Sequence, residues 1–171
     1  MMKLFGALFF ITSTSLVGID ISRQLTLRTG QLRMFIYSLQ MIEAEMTYSH
    51  DSLQQIFTNV HKKTSFPLSA FYDQLAKRLT KPVADFFSIW DEELTILEKQ
   101  SMLKKQELDI LRQFGKNIGN HTIEQQQKQI KLTIYYLQKQ LDEAVEQKNK
   151  YDKTIKSISF LFGVLIVLIL I

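Results

Sequence analysis

Apolar residues recur at intervals of three and four along most of this chain, the spacing of one face of an α-helix. Leu32, Phe35, Ile36, Leu39, Ile42 and Met46 form a first stripe. Leu53, Ile56, Phe57 and Val60 form a second, and Leu68, Phe71, Tyr72, Leu75 and Leu79 a third, opened by Pro67. Val83, Phe86, Phe87, Trp90, Leu94 and Leu97 form a fourth, opened by Pro82. Proline in a first helical turn loses no needed N–H, so both prolines predict helix starts. Leu108, Leu111, Phe114 and Ile118 form a fifth stripe, which Gly119 is expected to end by adopting the left-handed conformation. Thr122 and Gln125 then resemble a capping box.

From there one seam continues through Ile123, Ile130, Ile134, Leu137, Leu141, Ala144, Tyr151, Ile155, Ile158 and Phe162. Gln127 and Lys148 fill two of its positions with polar side chains. No helix breaker precedes Gly163, so the pattern predicts one long helix. The seam fits packing within the chain as far as Leu141. Beyond Ala144 a coiled-coil stalk or a contact between copies fits equally well. No sustained alternation of apolar and polar residues occurs, so no strand is expected.

Charge changes this picture at both ends. The chain has 21 Lys and Arg and 17 Asp and Glu, and all but Lys3 and Asp20 lie between Ser22 and Lys156. Leu4 to Ile19 and Ser157 to Ile171 are uncharged and mostly apolar. Each is about 15 residues long, near the lower limit for a membrane-spanning helix. A soluble helix buries one stripe, whereas the second run is apolar around its whole circumference. The first run has two rivals, a cleaved signal peptide and a buried soluble helix. Thr12-Ser13-Thr14-Ser15 offers no clear small-x-small cleavage pattern. The expected division is an N-terminal transmembrane helix at 1–21, a helical domain at 22–156 and a C-terminal transmembrane helix at 157–171.

Basic residues flank the inner side of both runs: Arg23, Arg28 and Arg33 after the first, and Lys148, Lys150, Lys153 and Lys156 before the second. Cytoplasmic flanks are rich in Lys and Arg. The expectation is a two-pass protein with both termini outside the cytoplasm and residues 22–156 inside. The same cations suit anionic lipid headgroups. The formal net charge of +4 arises wholly between the runs and is too balanced for a nucleic-acid surface. The absence of cysteine excludes disulfides and thiolate zinc sites.

Motifs for chemistry are missing. No phosphate-binding loop, dinucleotide fingerprint, zinc-protease helix or nucleophile elbow occurs. His50, His61 and His121 are far apart and have no metal-ligand partner at helical spacing, so surface or capping roles suit them better. Glu43 and Glu45 lie on different faces of a helix and cannot act as a carboxylate pair. Asp91-Glu92-Glu93 reads as a solvated face. Gly115 and Gly119 suggest close helix approach and helix termination. These readings point to no catalytic residue, no cofactor and no metal.

The order of motifs resembles the stage III sporulation protein AB family of endospore-forming bacteria. The resemblance is carried by Met2-Lys3-Leu4-x-Gly6-Ala7, by Gln31-Leu32-Arg33, and by Leu39-Gln40-x-Ile42-Glu43-Ala44-Glu45-Met46-x-Tyr48-x-His50-x-x-Leu53. It continues through Leu111-x-x-Phe114-Gly115-x-x-Ile118-Gly119 and Gln126-Gln127-Lys128-x-Ile130-Lys131-Leu132. It closes with Lys156-Ser157-x-x-Phe160-Leu161-x-Gly163. It departs from the family at His121-Thr122 and is weak over residues 60–105. The resemblance implies an all-α, about six-helix cytoplasmic bundle like the F-component platform of type II secretion and type IV pilus systems. It would have an anchor at each end, the last helix continuous with its anchor. It implies a non-enzymatic platform in the mother-cell membrane around the forespore. The platform would couple a cytoplasmic ATPase, stage III sporulation protein AA, to membrane rings of a secretion-like complex. Expected partners are that ATPase, other membrane subunits, lipid and a second copy of the chain. Glu43, Glu45 and Tyr48 form the candidate partner surface. The alternative is a membrane-anchored adaptor or regulator outside any such machine.

Overall fold

A computed structural model describes the backbone of residues 2–49, 51–80, 85–118 and 123–170. It describes their side chains except at 2–19, 123, 155–157 and 159–170. Six helices account for the regular structure, with no strand among the described residues: α1 Met2–Tyr48, α2 Leu53–Lys63, α3 Leu68–Arg78, α4 Phe86–Gln100, α5 Lys105–Asn117 and α6 Ile123–Leu170.

Helix starts follow local chemistry. The Ser52 hydroxyl accepts the Gln55 N–H and opens α2. The Asp85 carboxylate accepts the Ser88 N–H at 3.3 Å and opens α4. Each satisfies a donor that a helix start leaves orphaned. The start expected at Pro82 lies outside the described residues, as do Gly119 and Thr122, proposed as stop and cap. Pro67 directly precedes α3.

Two long helices organise the domain. At about 1.5 Å per residue, α1 and α6 each extend roughly 70 Å. They pack against each other in antiparallel register. Ser22 Oγ donates to Asp152 Oδ1 at 3.2 Å, and Arg28 Nη1 to Gln147 Oε1 at 3.1 Å. Farther along, Lys131 Nζ lies 3.5 Å from Glu43 Oε1, and Gln127 Nε2 donates to Thr47 Oγ1 at 2.8 Å. The N-terminal part of α1 and the C-terminal part of α6 therefore lie at the same end of the bundle, here called the near end. The far end carries Tyr48 and the start of α6. The α6 seam buries Ile130, Leu137, Leu141 and Ala144, and α1 and α5 of the same chain pack on this helix. Both terminal runs belong to these helices and add none of their own.

Helices α2 to α5 form the remaining wall, α2 on α3, α3 on α4, α4 on α5 and α5 on α6. Every member of the first stripe except Met46 is buried, and Met46 is half-buried. An aromatic cluster fills the centre. The Trp90 ring meets Phe71 edge-on at 5.0 Å and Phe114 at 5.3 Å, and Phe57 stacks on Tyr72 at 5.8 Å. Each such pair contributes about 0.5–1.5 kcal/mol beyond its buried area. The indole N–H donates to the Leu111 carbonyl at 2.9 Å, so burial of Trp90 leaves no orphan donor. Gly115 makes that burial feasible: a Cβ there would sit 2.6 Å from Trp90 Cγ.

Among the residues whose side chains are described, no helix is long and apolar enough to cross a membrane. The runs 4–19 and 159–170, on which both expected spans rest, lie outside that set.

Candidate functional site

At the far end, the last turns of α1 carry the expected partner surface. Their i, i+2 spacing sends Glu43 and Glu45 different ways. Glu43 is half-buried and pairs with Lys131 on α6. Glu45 Oε2 accepts from Asn59 Nδ2 on α2 at 2.8 Å. Each carboxylate thus ties α1 to a different neighbour. Tyr48 is 84% exposed and projects into solvent. The structure brings Glu43 and Thr47 together with Lys131 and Gln127, and sets Glu45 apart from them.

At the near end, the basic flank divides. Arg23, Arg33, Lys150 and Lys153 are exposed, and Lys148 is half-buried. The Lys156 side chain lies outside the described residues. Arg28, expected to face headgroups with the others, turns inward and is 4% exposed. Its Nε donates to Glu107 Oε1 at 2.8 Å, and Nη2 contacts the same oxygen. Glu107 is fully buried. Its second oxygen accepts the Lys104 N–H at 2.6 Å, closing the first turn of α5. Gln147 of α6 accepts from both Arg28 and Lys104. Three helices therefore meet on one buried ion pair, with both carboxylate oxygens satisfied. A buried charge demands this pairing, since an isolated one carries a large desolvation cost.

Sequence reasoning missed this clamp because its members are 79 residues apart. The local signal was Glu107 at the third position of α5, a place where a carboxylate caps its own helix start. A second correction concerns the acidic run on α4. Asp91 pairs with Arg112 and Glu92 with Arg78 near the surface, but Glu93 is buried and accepts from Arg78 Nη1 at 3.0 Å. Hydrogen bonds donated to Glu92 and then to Glu93 raise the pKa of the Arg78 guanidinium.

A buried hydroxyl pair links α1 to α3. Ser38 Oγ donates to the Phe35 carbonyl at 2.8 Å, which leaves Tyr72 OH as donor in the 2.5 Å contact with Ser38 Oγ. Burial pushes the Tyr72 phenol well above its ordinary pKa.

His61 Nδ1 lies 2.8 Å from the Ser69 carbonyl and tethers α2 to α3. His50 and His121 lie outside the described residues. Among the described residues, no three His, Asp or Glu side chains gather as metal ligands would. Two shallow surface grooves occur. One runs beside α6 past Arg33, Gln138 and Asp142, and the other beside α5 past Asp109, Arg112 and Lys116. Arg112 is already engaged by Asp91, Glu98 and Asp109.

The motif order, the paired long helices and the helical wall agree with comparisons to known proteins. A family profile described as Stage III sporulation protein AB (spore_III_AB) matches residues 3–171. A protein named Stage III sporulation protein AB from Bacillus subtilis (strain 168) is 33% identical over 170 residues, covering 99% of each chain. A solved structure titled Stage III sporulation protein AB aligns with a TM-score of 0.68 at 29% identity. That alignment covers 72% of this chain and 98% of the solved one. These matches carry the name of a developmental stage and not of a reaction. The chain belongs to the stage III sporulation protein AB family.

Proposed function

We propose that this protein is a non-enzymatic platform subunit of a secretion-like complex, anchored twice in the mother-cell membrane around the forespore. Its helical domain would lie in the cytoplasm and couple an ATPase to membrane rings. The observation that carries this reading is the antiparallel register of α1 and α6. Its Ser22–Asp152 contact supports the reading that the two apolar runs leave the same end of the helical domain. A pair of anchors fixes that domain in height, as a coupler between a cytoplasmic motor and a membrane assembly requires. The exposed basic residues of the near end suit a cytoplasmic, anionic leaflet. The far end, with Glu43, Glu45 and Tyr48, is the face most distant from the anchors and the one offered to the ATPase.

Topology is the first test. The chain has no native cysteine, so one cysteine reports cleanly. Ile96 is an exposed position on α4. An impermeant thiol reagent should leave Ile96→Cys unlabelled in intact cells and label it after lysis. Labelling in intact cells overturns the orientation. Deletion of the gene is the second test, and mature heat-resistant spores from the deletion strain would overturn the sporulation role. Charge reversal at Glu43 and Glu45 is the third. Unchanged co-purification with the ATPase and normal sporulation would remove these two carboxylates from the contact.

A further inference from the structure

The connection between α4 and α5 is far in sequence from both apolar runs, yet it sits at the near end. The Met102 N–H donates to Gln31 Oε1 of α1 at 2.8 Å, and Glu107 holds Arg28. These two tethers fix the height of the connection. Measured from Ile21, they lie about 10–15 Å along α1. The headgroup layer occupies roughly the first 5–7 Å of that distance. The remainder is about one Debye length at physiological salt.

Three exposed lysines cluster on this connection, Lys99, Lys104 and Lys105, around Met102, which is 40% exposed. Three carboxylates of α4 and α5 near it are paired with arginines. Glu98 and Asp109 engage Arg112, and Glu107 engages Arg28. On the adjoining helices, Asp152 accepts from Ser22 and Asp20 from Gln24. Lys104 and Lys105 also stand at the cap and first position of α5, where the helix dipole disfavours cations. Within the chain the Glu107 carboxylate caps this turn and Gln147 accepts from Lys104, while Lys99 and Lys105 stay exposed. An anionic surface facing the connection would reverse the sign of that penalty.

We propose that the α4–α5 connection is a third membrane contact, in which Lys99, Lys104 and Lys105 engage anionic lipid headgroups. The two anchors set the height of the domain and this contact sets its tilt. The Arg28–Glu107 clamp delivers the lysines to the surface. The inference rests on the two-anchor reading above and extends it.

The test uses the full chain in vesicles of phosphatidylcholine with or without about one-third phosphatidylglycerol, each lysine contributing about fivefold to attraction for the anionic surface. Single variants Met102→Cys, Ile21→Cys and Tyr48→Cys carry a fluorophore, and headgroup-linked nitroxide lipid is the quencher. The expected result is strong quenching at 21 in both vesicles and none at 48. At 102, quenching should be strong with phosphatidylglycerol and about twofold or more weaker without it. Adding Lys99→Gln, Lys104→Gln and Lys105→Gln should abolish the lipid dependence at 102 and leave 21 unchanged. Quenching at 21 with none at 102 overturns the third contact and leaves the anchors standing. Equal quenching at 102 in both vesicles overturns the role of the lysines. No quenching at 21 overturns the anchored reading itself.

Discussion

Replacing Glu107 with Gln keeps the volume of the side chain and removes its charge. Arg28 then stays buried as an unpaired cation, at 4% exposure, with two of its three hydrogen bonds weakened. Breaking a buried pair from one side costs about 3–5 kcal/mol. Roughly 130 ordered residues, at about 2.1 cal/mol/K each, convert this into a fall in Tm of about 10–18 °C. The measurement is thermal unfolding of the full chain in mild detergent, followed by the fluorescence of the lone tryptophan. A double replacement, Arg28→Met with Glu107→Leu, separates pairing from desolvation. It should recover most of the loss, because an apolar pair of similar volume is often as stable as the ions it replaces. The residual deficit should be about 1 kcal/mol, from the lost acceptor for the Lys104 N–H. A Glu107→Gln protein within about 1 kcal/mol of the parent would refute the claim that the clamp is desolvated. So would a double variant as unstable as the sum of the two single variants, because that sum means no coupling.

Gly115→Ala should destabilise by about 1–3 kcal/mol despite the better helix propensity of alanine, because Trp90 is closed in by Phe57, Phe71, Phe86 and Phe114 and cannot move aside. The fluorescence maximum of the single tryptophan should report the shift. Stability should fall at alkaline pH: the Tyr72 phenol has a raised pKa in the folded state, so its contribution is complete below about pH 10, the unfolded value, and is lost as pH climbs beyond it. Denaturant titrations from pH 8 to 11 should show this limb in the parent and a flatter one in Tyr72→Phe, which loses about 1 kcal/mol at neutral pH with the Ser38 bond. Glu43→Ala should change stability by less than about 1 kcal/mol, since its Lys131 partner is 70% exposed. A larger loss in chemical denaturation would make Glu43 a structural residue instead of a contact.

The helical stripes were legible because burial of one helix face imposes a period that needs no knowledge of the partner. Leu108, Leu111, Phe114 and Ile118 are buried as the spacing required. The fourth stripe was legible only in part. Ile89 takes a core place, while Phe87 is half-buried under the Lys116 ammonium, 5.4 Å from its ring. Aromatic residues on adjacent faces look alike to a periodicity argument. Polar pairings were not legible at all. Arg28 beside an apolar run resembles any flank cation until the fold supplies Glu107 from another helix. Likewise, Glu93 resembles its neighbours Asp91 and Glu92 until Arg78 turns it inward. The near-end cluster of Lys99, Lys104 and Lys105 depends on the same clamp and was invisible for the same reason.

The pairing of α1 with α6 has a consequence for the order of synthesis. Of the described helices, α1 leaves the ribosome before the others and α6 after them. Until residues 127 to 152 emerge, the α1 face that packs on α6 lacks that cover. The helical wall between them can assemble early from neighbours in sequence, α2 on α3 and α4 on α5. The long helices close only once α6 has emerged, and contacts of such separation form slowly. A nascent chain stalled before α6 would present an uncovered apolar stripe to chaperones and proteases. Emergence of α6 is thus the event that seals the domain.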